Sequence, residues 1–193
     1  ESPPRPSQGH LDSHNTWTSF RGAGHGDLVI TNVNAETFSL EHQGSGNATM
    51  SGSLGTLEIK HNGSGDLVLT NLRAKILNVR YACAGNITMK DVVVAETLSL
   101  VSSGTGNVKG NGNAKQLTIE SRGNADVALE GLTAVDCNVT NSGNGKVKVR
   151  VTGSLHAKTQ GLGDIIYYGT PQDVKAESAE QSWLGKVKKG VEK

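Results

Sequence analysis

The chain has 193 residues, enough for one or two domains, with 19 basic and 18 acidic side chains and a formal net charge of +1. That balance excludes the single-sign field that holds nucleic acid or an anionic bilayer. No stretch nears the roughly 18–20 apolar residues that a membrane-spanning helix needs. Gly is frequent, at 25 residues, and Pro scarce, at 4; the glycines recur at fixed intervals, which suits turns rather than disorder.

Residues 1–16 hold Pro3, Pro4 and Pro6 and read as a Pro-rich N-terminal arm in extended conformation. No signal peptide is visible there, and Glu1 is not the cysteine of a lipid anchor. A repeat domain is expected over residues 17–177. It opens with Trp17 to Phe20, which resembles the closing half of an incomplete coil, with Phe20 aligned to Leu40 and Leu100.

A Gly-x-Gly-(Asp/Asn) element followed by alternating apolar residues then recurs eight times. Its first positions are Gly24, Gly44, Gly63, Cys83, Gly104, Gly123, Gly143 and Gly161, spaced by 20, 19, 20, 21, 19, 20 and 18 residues. A period near twenty predicts stacked coils, each burying its neighbour's apolar face. Each coil carries a first period-two segment after the turn, such as Leu28/Ile30 and Leu67/Leu69, and a second about ten residues on, such as Phe38/Leu40 and Val174/Ala176. A third apolar point falls between them at Val33, Leu54, Leu72, Val93 and Leu132. The expected fold is all-β: a single-stranded right-handed parallel β-solenoid (β-helix) of about eight coils, about 40 Å long at about 4.8 Å per coil.

The glycines would serve positive φ or close backbone stacking, and the Asp/Asn after them would bond the turn backbone up the rod. That column runs Asp27, Asn47, Asp66, Asn86, Asn107, Asp126, Lys146, Asp164. Calcium is the alternative use of such turns, but calcium-binding rolls repeat every nine residues, and neutral or basic members here dilute the anionic ligands. No metal and no cofactor is expected. Two residues before each turn lies a polar column of inward parity: His42, His61, Tyr81, Ser102, Ser121, Asn141, Thr159. It predicts a hydrogen-bonded ladder; His42 and His61 alone lack a third ligand for zinc or copper. Beside it runs the outward column Glu41, Lys60, Arg80, Val101, Glu120, Thr140, Lys158, in which Glu41 and Lys60 would pair. Cys83 takes a glycine position and Cys137 an inward strand position about two coils away, beyond disulfide reach. Cys137 reads as a buried thiol; Cys83 reads as an exposed thiol or an intermolecular link.

Residues 178–193 change character. Ser178 and Gln181 form a capping pair, and Trp183, Val187 and Val191 follow at helical spacing among lysines. A short C-terminal amphipathic helix is expected, covering the last coil or docking on a partner. Aromatics gather at the two ends. Trp17, Phe20, Tyr167, Tyr168 and Trp183 suit caps over the open core, or an end-to-end interface between subunits.

No catalytic constellation emerges: there is no HExxH, no defensible Ser-His-Asp set and no phosphate loop. Glu120, Arg122 and Asp126 come nearest to the acidic-basic cluster of a polysaccharide-processing enzyme on a β-helix scaffold. The run of Gly-Ser-Gly-Asp turns, and above all Gly161-Leu162-Gly163-Asp164-Ile165-Ile166-Tyr167-Tyr168-Gly169-Thr170-Pro171, resembles the bacterial family described as "putative auto-transporter adhesin, head GIN domain". The resemblance covers roughly residues 20–171. It implies a β-solenoid of secreted or cell-envelope proteins and brings no catalytic residues with it. The Pro-rich arm and basic C-terminal segment stand outside the pattern. The expected function is therefore a non-enzymatic, secreted or cell-surface adhesin-like or structural protein that assembles end to end into a homo-oligomer or filament. Its partners would be surface glycans or proteins, not nucleic acid. The alternatives are the polysaccharide-processing enzyme and an envelope protein recruiting a partner through its C-terminal helix.

Overall fold

The computed structural model describes residues 19–178 and 184–191, and the backbone of Gly9–Leu11. Seven long strands carry the coils: β3 (Leu28–His42), β4 (Ala48–His61), β5 (Leu67–Tyr81), β6 (Ile87–Ser102), β7 (Val108–Ser121), β8 (Val127–Asn141) and β9 (Val147–Thr159). Short strands flank them: β1 (Gly9–Leu11) and β2 (Ser19–Gly22) before, and β10 (Ile165–Tyr168), β11 (Asp173–Ser178) and β12 (Val187–Lys189) after. All pairings are parallel and run coil to coil in sequence order, from β1 on β3 to β12 on β10, with β2 on β3 and β11 on β9. This is an all-β parallel solenoid of about eight turns.

The register explains the repeat. Leu28, Ala48, Leu67, Ile87, Val108, Val127, Val147 and Ile165 pair one above the next. So do Phe38, Leu57, Leu77, Leu98, Leu117, Cys137, Leu155 and Val174. All these except Val174 are buried, so two apolar ribbons face each other across a thin core. Phe20 pairs with Leu40, as its alignment predicts. Large and small residues alternate where a column thins. Leu129 reaches over Gly110, where a Cβ would lie 3.1 Å from its Cδ2.

Each long strand bends in the middle, where the register shifts, for instance between Ile30 and Val33 and between Met89 and Val92. The bend requires left-handed or related backbone at Asn32 (φ 55°), Gly52 (146°), Asn71 (48°), Asp91 (53°) and Gly112 (137°). These are the residue types that adopt positive φ most readily. Val93 is half-buried; Val92 and Val94 turn inward instead, because the bend moves the parity by one residue. Replacing Asn71, which is exposed, with Val is expected to cost roughly 1–2 kcal/mol and Asn71→Gly far less, measured by thermal melting.

The turn glycines serve the other role. None of them has positive φ apart from Gly169, beyond the last repeat turn. Instead each turn lies flat on the one before: a Cβ at Gly44, Gly63, Gly65 or Gly85 would overlap the carbonyl oxygen of the turn beneath. Backbone stacking at about 4.8 Å leaves no room for a side chain there.

No helix occurs among the described residues, and the expected C-terminal amphipathic helix is not found. Val187–Lys189 is a strand pairing Ile165–Tyr167. Gly185 lies on Gly163 as one more stacked turn, and the Lys186 backbone N–H donates to Asp164 Oδ1 at 2.8 Å. Gly185-Lys186-Val187-Lys188 repeats Gly145-Lys146-Val147-Lys148, so the segment is a ninth turn of the solenoid. Helical spacing of Val187 and Val191 hid it, and Val191 is exposed at 86%. Ser178 closes β11, and its Oγ accepts from the Val187 N–H at 3.2 Å. Gln181 and Trp183 lie outside the described residues. At the other end, Gly9–Leu11, within the expected arm, pairs with Leu28–Ile30.

Candidate functional site

Two internal ladders fix the geometry on which any surface site rests. In the turn column each side-chain Oδ1 accepts the backbone N–H of the next coil: Asn47 on Asp27 (2.8 Å), Asp66 on Asn47 (3.0 Å), Asn86 on Asp66 (2.6 Å), Asn107 on Asn86 (2.9 Å), Asp126 on Asn107 (3.1 Å) and Lys146 on Asp126 (2.7 Å). The expected Asn/Asp ladder is thus present, and these Oδ1 atoms are engaged by protein. Among the described residues no three His, Cys, Asp or Glu side chains converge as a metal site. Asp126 belongs to this ladder, so it does not join Glu120 and Arg122.

The polar column of inward parity is buried throughout: His42, His61, Tyr81, Ser102, Ser121, Asn141 and Thr159 are each at most 2% exposed. Four of these side chains cap a carbonyl four residues on. His61 Nε2 meets Gly65 O at 2.6 Å, Tyr81 Oη donates to Gly85 O, Asn141 Nδ2 donates to Gly145 O at 2.9 Å, and Thr159 Oγ1 donates to Gly163 O at 3.1 Å. Ser102 and Ser121 leave their hydroxyls without a partner. The His42 and His61 rings stack at 5.0 Å, with Nδ1 to Nδ1 at 3.1 Å. Because His61 Nε2 must donate to a carbonyl, its Nδ1 accepts, and His42 Nδ1–H donates. Burial holds both imidazoles below their ordinary pKa, and for His42 the neighbouring ring adds to this. Burial also raises the Cys83 thiol and pushes Cys137 up to about 12. Both thiols are free, Cys137 buried and Cys83 half-buried.

On the outside, the expected Glu41–Lys60 pair does not form. Glu41 instead meets Arg21 Nε at 3.6 Å and accepts from Gln43 Nε2 at 2.5 Å. That leaves Lys60 and Arg80, paired in register and exposed, as adjacent cations. Beyond them the column drops to Val101, and the neighbouring row is short at Ala82 and Ser103. A groove of about 450 Å³ opens there, closed at its far end by Arg122, whose Nε and Nη2 both donate to Glu120 Oε1. The outward column is legible in the sequence; the short row beside it, which makes the groove, carries no such signal.

The aromatic ends are only partly described. Trp17 and Trp183 lie outside the described residues. Phe20 and Tyr167 pack against the two ends of the core. Tyr168 lies 5.8 Å from the Arg150 guanidinium, which sits over its ring.

The stacked turns and continuous parallel register define a β-solenoid repeat protein, with a buried polar column and an Asn/Asp turn ladder running coil to coil. The family described as "Putative auto-transporter adhesin, head GIN domain" matches residues 7–93 and 68–171, and the chain belongs to it. No curated protein and no solved structure matched the chain. Family and fold fit a cell-surface, adhesin-like protein. No helix among the described residues is long and apolar enough to cross a membrane.

Proposed function

We propose that the chain is a non-enzymatic, adhesin-like structural module of the cell surface that assembles end to end through its terminal coils. The observation that carries this is the C-terminal edge. Val174 and Ala176 keep the inward parity of Leu155 and Ala157, yet Val174 is 39% exposed and Ala176 is exposed, so among the described residues the apolar ribbon ends open. An unpaired, apolar strand edge is a template for another chain. Head-to-tail contacts that do not close generate filaments. Against the enzyme alternative, Glu120 is occupied by Arg122 and Asp126 by the ladder.

The test is sedimentation and negative-stain microscopy over a concentration series, with Val174→Lys beside the parent. Assembly is expected to grow with concentration and to vanish in the variant at unchanged melting temperature. Compact monomer at every concentration would remove the assembly reading.

A further inference from the structure

We propose that the groove bordered by Lys60, Arg80 and Arg122 binds an acidic polysaccharide lying along the rod axis. The proposal rests on the surface-module reading above, but not on assembly. Some cations of the outward face have acidic partners on neighbouring residues: Arg21 with Glu41 at 3.6 Å, Lys148 with Glu130 at 3.6 Å, Lys158 with Glu177 at 3.7 Å. Lys60 and Arg80 differ in having each other as register partners. They sit directly opposite each other on adjacent strands and neither has an ion pair among the described residues. Like charges in that position repel, which disfavours the fold unless an anion lies between or across them.

The surroundings select the class of anion. Val101 and Ala82 floor the groove, while Asn62 and Ser103 line it with groups that can bond hydroxyls. From Lys60 to Glu120 is three coil steps, about 14 Å at about 4.8 Å per step, which suits an extended chain with several acidic groups. No exposed aromatic platform borders it, since the Tyr81 ring is buried, so a neutral glycan would have nothing to stack on. An acidic peptide would bind better at a strand edge, where backbone groups are unpaired; here the groove lies on a sheet face whose backbone groups are engaged in the ladder.

The test uses the whole chain and three probes at low salt: polygalacturonate, neutral dextran and poly-glutamate, followed by calorimetry. Polygalacturonate is expected to bind in a salt-sensitive way, and the double variant Lys60→Ala/Arg80→Ala to weaken it by about tenfold or more. Its circular dichroism should match the parent and its melting temperature should be no lower, since a like-charge pair is removed. Lys90→Ala/Lys109→Ala, on two other columns, should leave binding unchanged. The proposal is overturned if polygalacturonate does not bind, if both double variants weaken it equally, or if dextran or poly-glutamate binds as well. None of these results bears on assembly, which has its own test.

Discussion

Gly63→Ala is expected to cost about 3 kcal/mol, lowering the melting temperature by about 6–12 °C, although it adds a single methyl group at a buried turn. The new Cβ would overlap the carbonyl oxygen of Gly44. Neither side can yield cheaply, because the obstacle is backbone held by the pairing of a whole coil. Ser64 N–H donates to Gly44 O at 3.1 Å, so moving apart also breaks that bond. Gly24 provides the control. It occupies the same column on the first turn, and a Cβ added there would meet nothing within 4 Å. Gly24→Ala should therefore stay within about 0.5 kcal/mol of the parent. Equal losses at both positions would mean that turn conformation, not stacking, is what the glycines supply.

The second large effect is acid sensitivity. His42 and His61 are both held below the ordinary imidazole pKa of 6.5 by burial. The unfolded chain therefore binds protons that the folded chain refuses. Stability is fully present above about pH 6.5 and falls as pH drops through and below it, by up to about 1.4 kcal/mol per pH unit for each imidazole, until the folded values are reached. Geometry gives the reason: a proton added at His61 Nδ1 would set two N–H groups against each other across 3.1 Å. Tyr81 stacks on the far side at 6.1 Å, and the Asp66 charge opposes the His61 shift without reversing it. Asn141 already performs the same task without titrating, donating to the carbonyl of Gly145 four residues on. The double variant His42→Asn/His61→Asn should then melt at nearly the same temperature from about pH 8 to about pH 5. A parent-like loss in that variant would assign the acid sensitivity to other groups.

The repeat was legible because stacking imposes one chemical demand on every coil. Gly at Gly44 or Gly65, Asn or Asp at Asn47 or Asp66, and alternating Leu or Ile afterwards are all required by a neighbour at fixed distance. The inward polar column was readable for the same reason: parity alone placed His42 through Thr159. Parity failed at the bend, where one residue of positive φ exchanges Val93 for Val92 and Val94. It failed more seriously at the C-terminus. There Val187 and Val191 satisfy helical spacing, and the Gly-Lys-Val-Lys copy at 185–188 gives the competing signal that tertiary stacking selects. The groove was the least legible feature. A depression is made by short side chains such as Ala82 and Val101, whose effect appears only when four coils are set side by side.

Because each flat turn must seat on another flat turn, the length of this protein comes in whole steps. A coil can be added or removed between two equivalent glycines, for example from Gly44 to Gly63, and both new neighbours find the surface they require. An insertion of a few residues inside a turn cannot be absorbed, since it lifts every later coil off its seat. Insertions at the bend, where Asn32, Gly52 and Asp91 already tolerate a change of register, are the exception. Variation in such a rod should therefore be counted in coils along the axis and in loop length only along one side, which leaves reach and surface decoration free to change independently.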